Sequence, residues 1–305
     1  MRILLTGSSG WLGQSLMPRL IALGHEVIGL DPNPSERTRI VASIADRAVV
    51  RQAISDHRIQ AVIHSGALHQ PDMARHPRQA FVDVNVTGTL NLLEEAADQG
   101  VERFVFTSTT SLMISDAIRA GAAGGARKAA WLTEAMAPRP RNIYGATKFA
   151  AENLCRVMHK SVGLPIVVLR TARFFPEADD MAHVIEQSDA NTKANELLYR
   201  RLTAEDAAEA HVAALMKAPE LGFDIFIVSA RPPFSPDDAE ALIADAPGVV
   251  ARYFPDYPEI YARLGWTMFG SIDRVYDPSR AAARLGFVCK TGFGELLAEL
   301  RAQKT

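Results

Sequence analysis

Thr6-Gly7-Ser8-Ser9-Gly10-Trp11-Leu12-Gly13 lies directly after the apolar run Ile3-Leu4-Leu5 and directly before an amphipathic segment near 12–23. A strand, a glycine-rich turn and a helix in that order form a phosphate cradle. Glycine allows a tight turn and lets backbone N–H groups approach a pyrophosphate, which rests at the positive end of the helix. Asp31 stands 18 residues past Gly13, near the offset at which a carboxylate accepts hydrogen bonds from ribose hydroxyls. The stretch is read as a dinucleotide-binding turn. A carboxylate repels a 2′-phosphate, so NAD is the expected cofactor. NADP stays open because Arg37 and Arg39 follow closely, although both also fit as solvated loop arginines.

Outward from this turn, short apolar runs alternate with longer helical patterns, the mark of βαβ units around a parallel sheet. Strands are expected at Arg2 to Thr6, Glu26 to Leu30, Ala61 to Ser65, Arg103 to Ser108 and Pro165 to Arg170. Crossover helices are expected near 12–23, 46–56, 77–98 and 142–162. The expected fold class is α/β, a doubly wound parallel-sheet Rossmann fold over 1–170 with a small C-terminal substrate lobe over 171–305. Within the latter, 204–229 returns to the main sheet as a helix (Ala204 to Lys217) and a buried strand (Phe223 to Ser229). Residues 171–200 read as irregular, and the Ala/Gly-rich Ala117 to Ala130 reads as a flexible loop. Ligands of such sheets bind at the carboxyl ends of the strands.

The 305 residues are 48% hydrophobic and 22% charged, with a mean hydropathy near zero from a sequence that holds 33 basic and 35 acidic residues. That is enough apolar material for a core and too balanced a charge to attract nucleic acid or an anionic membrane. No run approaches the ~20 apolar residues of a membrane span. The two cysteines, Cys155 and Cys289, make no disulfide framework, which favours a cytoplasmic location. No histidine pair has metal-site spacing, so no metal is expected.

Tyr144-Gly145-Ala146-Thr147-Lys148 places a phenol and an ammonium at i and i+4, on one helix face. Lowering a phenol of pKa near 10 by ~3 units takes about 4 kcal/mol. A cation about 4 Å away at an effective dielectric near 20 supplies about as much. Tyr144 is therefore read as a general base activated by Lys148. Chance produces this spacing in many helices; the glycine turn upstream gives it weight. Thr107-Ser108-Thr109-Thr110-Ser111 ends the fourth strand in hydroxyls, one of which is expected to hold the substrate oxygen, the others bonding their own backbone.

With these motifs in place, the chain resembles the extended short-chain dehydrogenase/reductase family, in its NAD-dependent sugar epimerase/dehydratase group. The glycine spacing over 6–13, Val62-Ile63-His64-Ser65-Gly66-Ala67, Asn85 to Glu94, Phe104 to Thr109, Tyr144 to Glu152, Leu169-Arg170 and Glu205 to His211 carry the resemblance. It implies Tyr144 as general acid/base, Lys148 as its modulator and ribose anchor, and Thr109 as the catalytic Ser/Thr. It implies cofactor contacts from Gly7, Ser9, Gly10, Trp11, Leu12, Gly13, Asp31, Ser43, Ile44, Ser65, Gly66, Ala67, Thr107, Lys148 and Arg170. Asn85 would brace the sheet near the site, and a homodimer would form through the helices of 77–98 and 142–162.

The chain departs from the family in carrying Ser43 where Asp is common and Leu112-Met113-Ile114 where Val-Tyr-Gly is common. Thr110 and Ser111 replace the Asp and Glu that sugar dehydratases place after the catalytic Thr, which disfavours dehydration. Substrate contacts are expected from His69, Thr110, Ser111, Arg173 and Arg201, with Arg200 a further arginine suited to a phosphate or carboxylate. For the arginines, ordinary salt bridges compete with that reading. His64 reads as a hydrogen-bonded packing residue. The expected activity is hydride transfer at a secondary alcohol or ketone of a sugar-like substrate, first as a nucleotide-sugar epimerase. The alternatives are an NAD(P)-dependent dehydrogenase/reductase of a free sugar acid or polyol, and a non-catalytic dinucleotide-sensing protein.

Overall fold

A computed structural model describes residues 1–174 and 187–303. The chain opens with β1 (Arg2–Thr6), α1 (Trp11–Ala22) and β2 (Glu26–Asp31), then β3 (Ile40–Val41), α2 (Arg47–Asp56) and β4 (Ala61–His64). Next come α3 (Arg78–Val82), α4 (Gly88–Asp98), β5 (Arg103–Thr109), α5 (Asp116–Ala120), β6 (Ala130–Leu132) and α6 (Ile143–Val162). Then follow β7 (Ile166–Thr171), α7 (Asp189–Glu196), α8 (Ala204–Leu221) and β8 (Phe223–Val228). The last elements are α9 (Ala239–Ala244), α10 (Ala246–Tyr253), α11 (Tyr257–Leu264), β9 (Arg274–Tyr276) and α12 (Phe293–Ala302).

Seven strands form one sheet in the order β3-β2-β1-β4-β5-β7-β8. Ile3, Leu4 and Leu5 are fully buried, as both faces of a central parallel strand must be. β1 pairs in parallel with β2 on one side (Leu5↔Gly29) and β4 on the other (Leu5↔Ile63), so the order of winding reverses between β1 and β4. In an open α/β sheet that reversal is where the carboxyl ends of two neighbouring strands leave a ligand crevice.

The chain divides into two compact units. The first comprises Met1–Leu112, Pro138–Thr171 and Ala207–Phe226; the second comprises Met113–Ala137, Ala172–Asp206 and Ile227–Thr305. The first has its core in Leu4, Ile28, Val62, Phe104, Phe106 and Val168; the second has its own around Leu198, Leu242, Val250, Tyr261, Val275 and Phe293. Truncating such a buried Leu to Ala costs about 2–5 kcal/mol.

Four expectations are corrected. Residues 113–137 belong to the second unit and not to a continuous 1–170 domain, because β6 pairs in parallel with β9 and Ala129 N donates to Ala239 O at 2.8 Å. The Ala117 to Ala130 stretch is not a plain loop. Ser115 Oγ accepts Ile118 N at 3.3 Å and starts α5, and a 3-10 turn follows at Gly121–Gly124. The 77–98 helix is interrupted by a π turn at Asp83–Thr87. In the irregular reading of 171–200, Asp189–Glu196 is helical, capped by Ser188; positions 175–186 lie outside the described residues. Among the described residues no helix is long and apolar enough to cross a membrane.

Candidate active site

Gly7 adopts φ +74° and its amide donates to Leu30 O at 3.0 Å. A Cβ there would fall 2.7 Å from Gly66 N, and one on Gly13 would fall 2.4 Å from Gly7 O. The turn after β1 is thus packed against the turn after β4 and against its own helix, and only glycine fits either position. α1 begins at Trp11 with Gly10 as N-cap, no capping side chain and no acidic residue in its first turn. Its first N–H groups therefore suit an anion.

Asp31, at the end of β2, is buried, and its two oxygens accept Ser9 N (3.2 Å) and Asn33 N (2.9 Å). These amides orient a carboxylate that keeps lone pairs for further donors. The glycine packing, the uncapped helix end and the oriented carboxylate fit the diphosphate and ribose of a dinucleotide.

Of the other residues assigned to the cofactor, Leu12 is buried and Trp11 exposed. Ser65 Oγ donates to Thr6 O (2.7 Å), Gly66 N donates to Thr6 Oγ1 (3.1 Å), and Ala67 is half-buried behind them. Ser43 Oγ accepts Ala45 N, and the buried Ile44 gives its carbonyl to Asn91 Nδ2. Thr107 Oγ1 lies 2.8 Å from His211 Nε2. Arg170 Nη2 is 2.8 Å from Glu152 Oε2, and Glu152 also accepts Ser108 Oγ at 2.6 Å. Thr107 and Arg170 thus have partners inside the unit. The sequence reading quoted Glu152 only as the end of the motif that starts at Tyr144 and gave it no role, although it continues the Tyr144 and Lys148 stripe by another i+4 step.

Asn142 Oδ1 accepts Gly145 N at 2.9 Å and caps α6, which places Tyr144 in its first turn. Tyr144 is 7% exposed and Lys148 is 3% exposed. Lys148 Nζ lies 4.2 Å from the Phe106 ring centroid, a cation–π contact. Burial pulls the ammonium down to about 8, against the charges of Cys155 and Glu152. Burial also pushes the Tyr144 phenol up to about 12, a hydrogen bond with Thr109 opposing and Asp72 assisting the rise. The expected lowering by Lys148 is therefore overturned in the protein alone: spacing reveals the neighbouring cation and not the desolvation of the phenolate.

Thr109 Oγ1 donates to Ser111 Oγ (3.0 Å) and accepts Ser111 N (3.1 Å). Thr110 Oγ1 donates to Thr171 O and is buried. The His69 ring stands 5.7 Å from that of Tyr144, and burial, aided by Lys148, lowers its pKa to about 4, so it is neutral at pH 7. Asn85 holds this region together. Its Oδ1 accepts Leu68 N (2.8 Å), while Nδ2 donates to Leu68 O (3.0 Å) and Thr147 Oγ1 (3.1 Å). It thereby ties the turn bearing Ala67 and His69 to α6, a role long-range in sequence. His64 is buried between Thr6 Oγ1 (2.8 Å) and Thr89 Oγ1 (2.9 Å).

Arg173 and Arg201 belong to the second unit, where they form an isolated β-bridge. Arg201 Nη1 lies 2.7 Å from Glu196 Oε2, an internal ion pair.

Residues 3–226 match the sequence model of the NAD dependent epimerase/dehydratase family. An uncharacterized protein, y4nG, of Sinorhizobium fredii (strain NBRC 101917 / NGR234) is 32% identical over 172 residues, 55% of this chain and 39% of that protein. UDP-glucose 4-epimerase 4 of Oryza sativa subsp. japonica is 29% identical over 187 residues, 55% of this chain and 48% of that protein. The chain thus spans less than half the length of these two curated relatives. Among solved structures, the UDP-glucose 4-epimerase of Thermotoga maritima with UDP-glucose superposes with a TM-score of 0.68 at 21% identity, covering 99% of both chains. A short-chain dehydrogenase/reductase superfamily protein from Agrobacterium tumefaciens with bound NAD gives 0.69 at 24% identity, covering 99% of this chain and 98% of that one. At these identities the structural likeness is one of fold.

Proposed function

The chain belongs to the NAD dependent epimerase/dehydratase family, and on that premise we propose that it is an NAD-dependent epimerase of nucleotide sugars. The observation that carries this reading is the buried Tyr144 phenol, hydrogen-bonded with Thr109 and one helical turn before the buried Lys148. When bound, NAD supplies the hydride acceptor, nicotinamide C4. Thr109 holds the reacting substrate oxygen. Tyr144 would accept the proton of that hydroxyl through its phenolic oxygen and later return it to the same substrate oxygen. Lys148, one helical turn on, is the cation that would favour the phenolate once NAD and substrate fill the site, and the neutral His69 ring stands 5.7 Å from the phenol ring. Asp31 accepts the ribose hydroxyls and favours NAD over NADP. The experiment is incubation of the purified protein with UDP-glucose and NAD: C4 inversion without net NADH supports the reading.

A second reading, a dehydrogenase of a free sugar acid or polyol, draws on the wall after Thr109. Leu112, Met113 and Ile114 are all buried, giving an apolar stretch there. A steady rise in NADH absorbance with such a substrate selects it.

The reading includes a cytoplasmic homodimer formed through the helices of 77–98 and 142–162. Val82, Val157 and Val162 are apolar side chains left exposed on those stretches, which supports such an interface. Sedimentation velocity giving a monomer contradicts it.

A further inference from the structure

Thr6, His64 and Phe106 stand in register across β1, β4 and β5, near the carboxyl ends of the strands. His64 is buried there, its ring 5.4 Å from that of Phe106 and 6.2 Å from that of Phe104. The proposed reaction gives this ring no task, yet its two nitrogens face different halves of the site.

Nδ1 lies 2.8 Å from Thr6 Oγ1, and Nε2 lies 2.9 Å from Thr89 Oγ1. The hydroxyls decide which nitrogen carries the proton. Thr89 Oγ1 gives its one hydrogen to Asn85 O at 2.7 Å, so towards the ring it can only accept, and Nε2 is the protonated nitrogen. Burial keeps the ring neutral, so Nδ1 is bare and accepts the Thr6 hydroxyl. Thr6 Oγ1 in turn accepts Gly66 N at 3.1 Å. With the proton on Nδ1, two acceptors would face each other across the Thr89 contact, a buried mismatch that costs about 1–3 kcal/mol. His211 takes the opposite tautomer: its Nδ1 donates to Ala207 O at 2.7 Å, which leaves Nε2 to accept Thr107 Oγ1 at 2.8 Å.

Hydrogen bonds through His64 therefore run one way, from Gly66 N to Thr6, from Thr6 to Nδ1, from Nε2 to Thr89 and from Thr89 to Asn85 O. At the first end Gly66 is pressed against Gly7 of the cofactor turn. At the other, Asn85 Nδ2 donates to Thr147 Oγ1, which stands between Tyr144 and Lys148 on α6.

We propose that His64 is a positioning residue: as the Nε2–H tautomer, it holds the turn that receives the dinucleotide in register with the clamp that sets α6 and Tyr144. The inference rests on the NAD-dependent reading of this site and gives the ring a part beyond packing.

Two measurements test it. Long-range proton–nitrogen NMR of the full chain labelled with nitrogen-15 histidine, at pH 7 and without cofactor, reads the tautomers, and the signals lost in His64→Gln assign the ring. The proton is expected on Nε2 of His64 and on Nδ1 of His211; a His64 proton on Nδ1, or on both nitrogens, overturns the proposal. The second measurement compares His64→Gln, whose amide nitrogen can replace the donor towards Thr89, with His64→Leu, which replaces neither contact. NAD affinity, read by quenching of intrinsic fluorescence, should fall about tenfold or more in His64→Leu and less than about threefold in His64→Gln. At saturating NAD, kcat should follow the same pattern with substrate KM within about twofold of the parent. Parent-like affinity and kcat in His64→Leu, or equal losses in the two variants, overturn the proposal. Should His64→Leu not fold, the tautomer and the His64→Gln values decide. A parent that binds NAD and turns over no nucleotide sugar contradicts the proposed reaction alone, because tautomer and affinity are read without substrate.

Discussion

Lys148 carries its ammonium 4.2 Å above the Phe106 ring, within a site that holds it 3% exposed. The π face replaces part of the water that the ammonium has lost, and the rest of that loss appears as a pKa drawn down to about 8 from 10.5. Between those values the unfolded chain binds more protons than the folded one, so this site makes stability rise with pH from 8 to 10.5. Below pH 8 the charged form costs the fold about 3 kcal/mol.

Lys148→Met is therefore expected to be at least as stable as the parent at pH 7 while losing turnover. The difference between the two proteins should shrink from pH 8 to 10.5. Urea denaturation at several pH values measures it; a variant several kcal/mol less stable at pH 7 contradicts the assignment.

Burial also lowers the pKa values of His64, His69 and His211, the latter two to about 4. These rings are neutral in the folded protein and protonate first in the unfolded chain. Stability is expected to fall as pH drops from 6.5 toward 4, by up to about 1.4 kcal/mol per pH unit for each histidine. Denaturant titrations across that range check the slope. In His211→Gln it should be shallower by roughly one proton.

Removing the Asn85 clamp should act on both fold and site. Asn85→Ala leaves Leu68 N and Leu68 O without these bonds and removes the one Thr147 Oγ1 accepts, at a cost of about 1–3 kcal/mol. His69 and Tyr144 lose their common support, so kcat should fall more than NAD affinity. A variant with parent kcat and parent stability refutes the clamp.

Asp31→Asn removes the charge proposed to meet the ribose while its Ser9 and Asn33 donors remain. NAD affinity should fall about tenfold and NADP affinity by much less, read by quenching of intrinsic fluorescence. Equal losses for the two cofactors mean that the carboxylate does not distinguish them.

The glycine turn and the positions of the strands β1, β2, β4, β5, β7 and β8 were legible in the sequence because both are local. Gly7, Gly10 and Gly13 lie within one turn of a strand, and Asp31 follows at a fixed distance along the chain. The role of Gly66 was not legible in full, since it depends on two strand ends meeting 59 positions apart in the chain, Gly7 against Gly66. The same holds for Asn85 with Leu68 and for the 113–137 segment, whose partner β9 lies far down the chain. Spacing placed Tyr144 and Lys148 on one face but gave the wrong direction for the phenol, because burial acts through the whole surrounding fold and leaves no mark in a five-residue motif. Arg201 was read as a substrate contact from its position, and the carboxylate that pairs with it, Glu196, stands five residues earlier in α7.

The central claim is proton transfer by Tyr144 during an NAD-dependent inversion. Its most direct test is proton NMR of UDP-glucose incubated with NAD and either the parent protein or Tyr144→Phe. The account predicts conversion to the C4 epimer by the parent, a loss of about 10²–10⁴-fold in Tyr144→Phe, and NAD affinity within a few-fold of the parent. Undiminished conversion by Tyr144→Phe contradicts it.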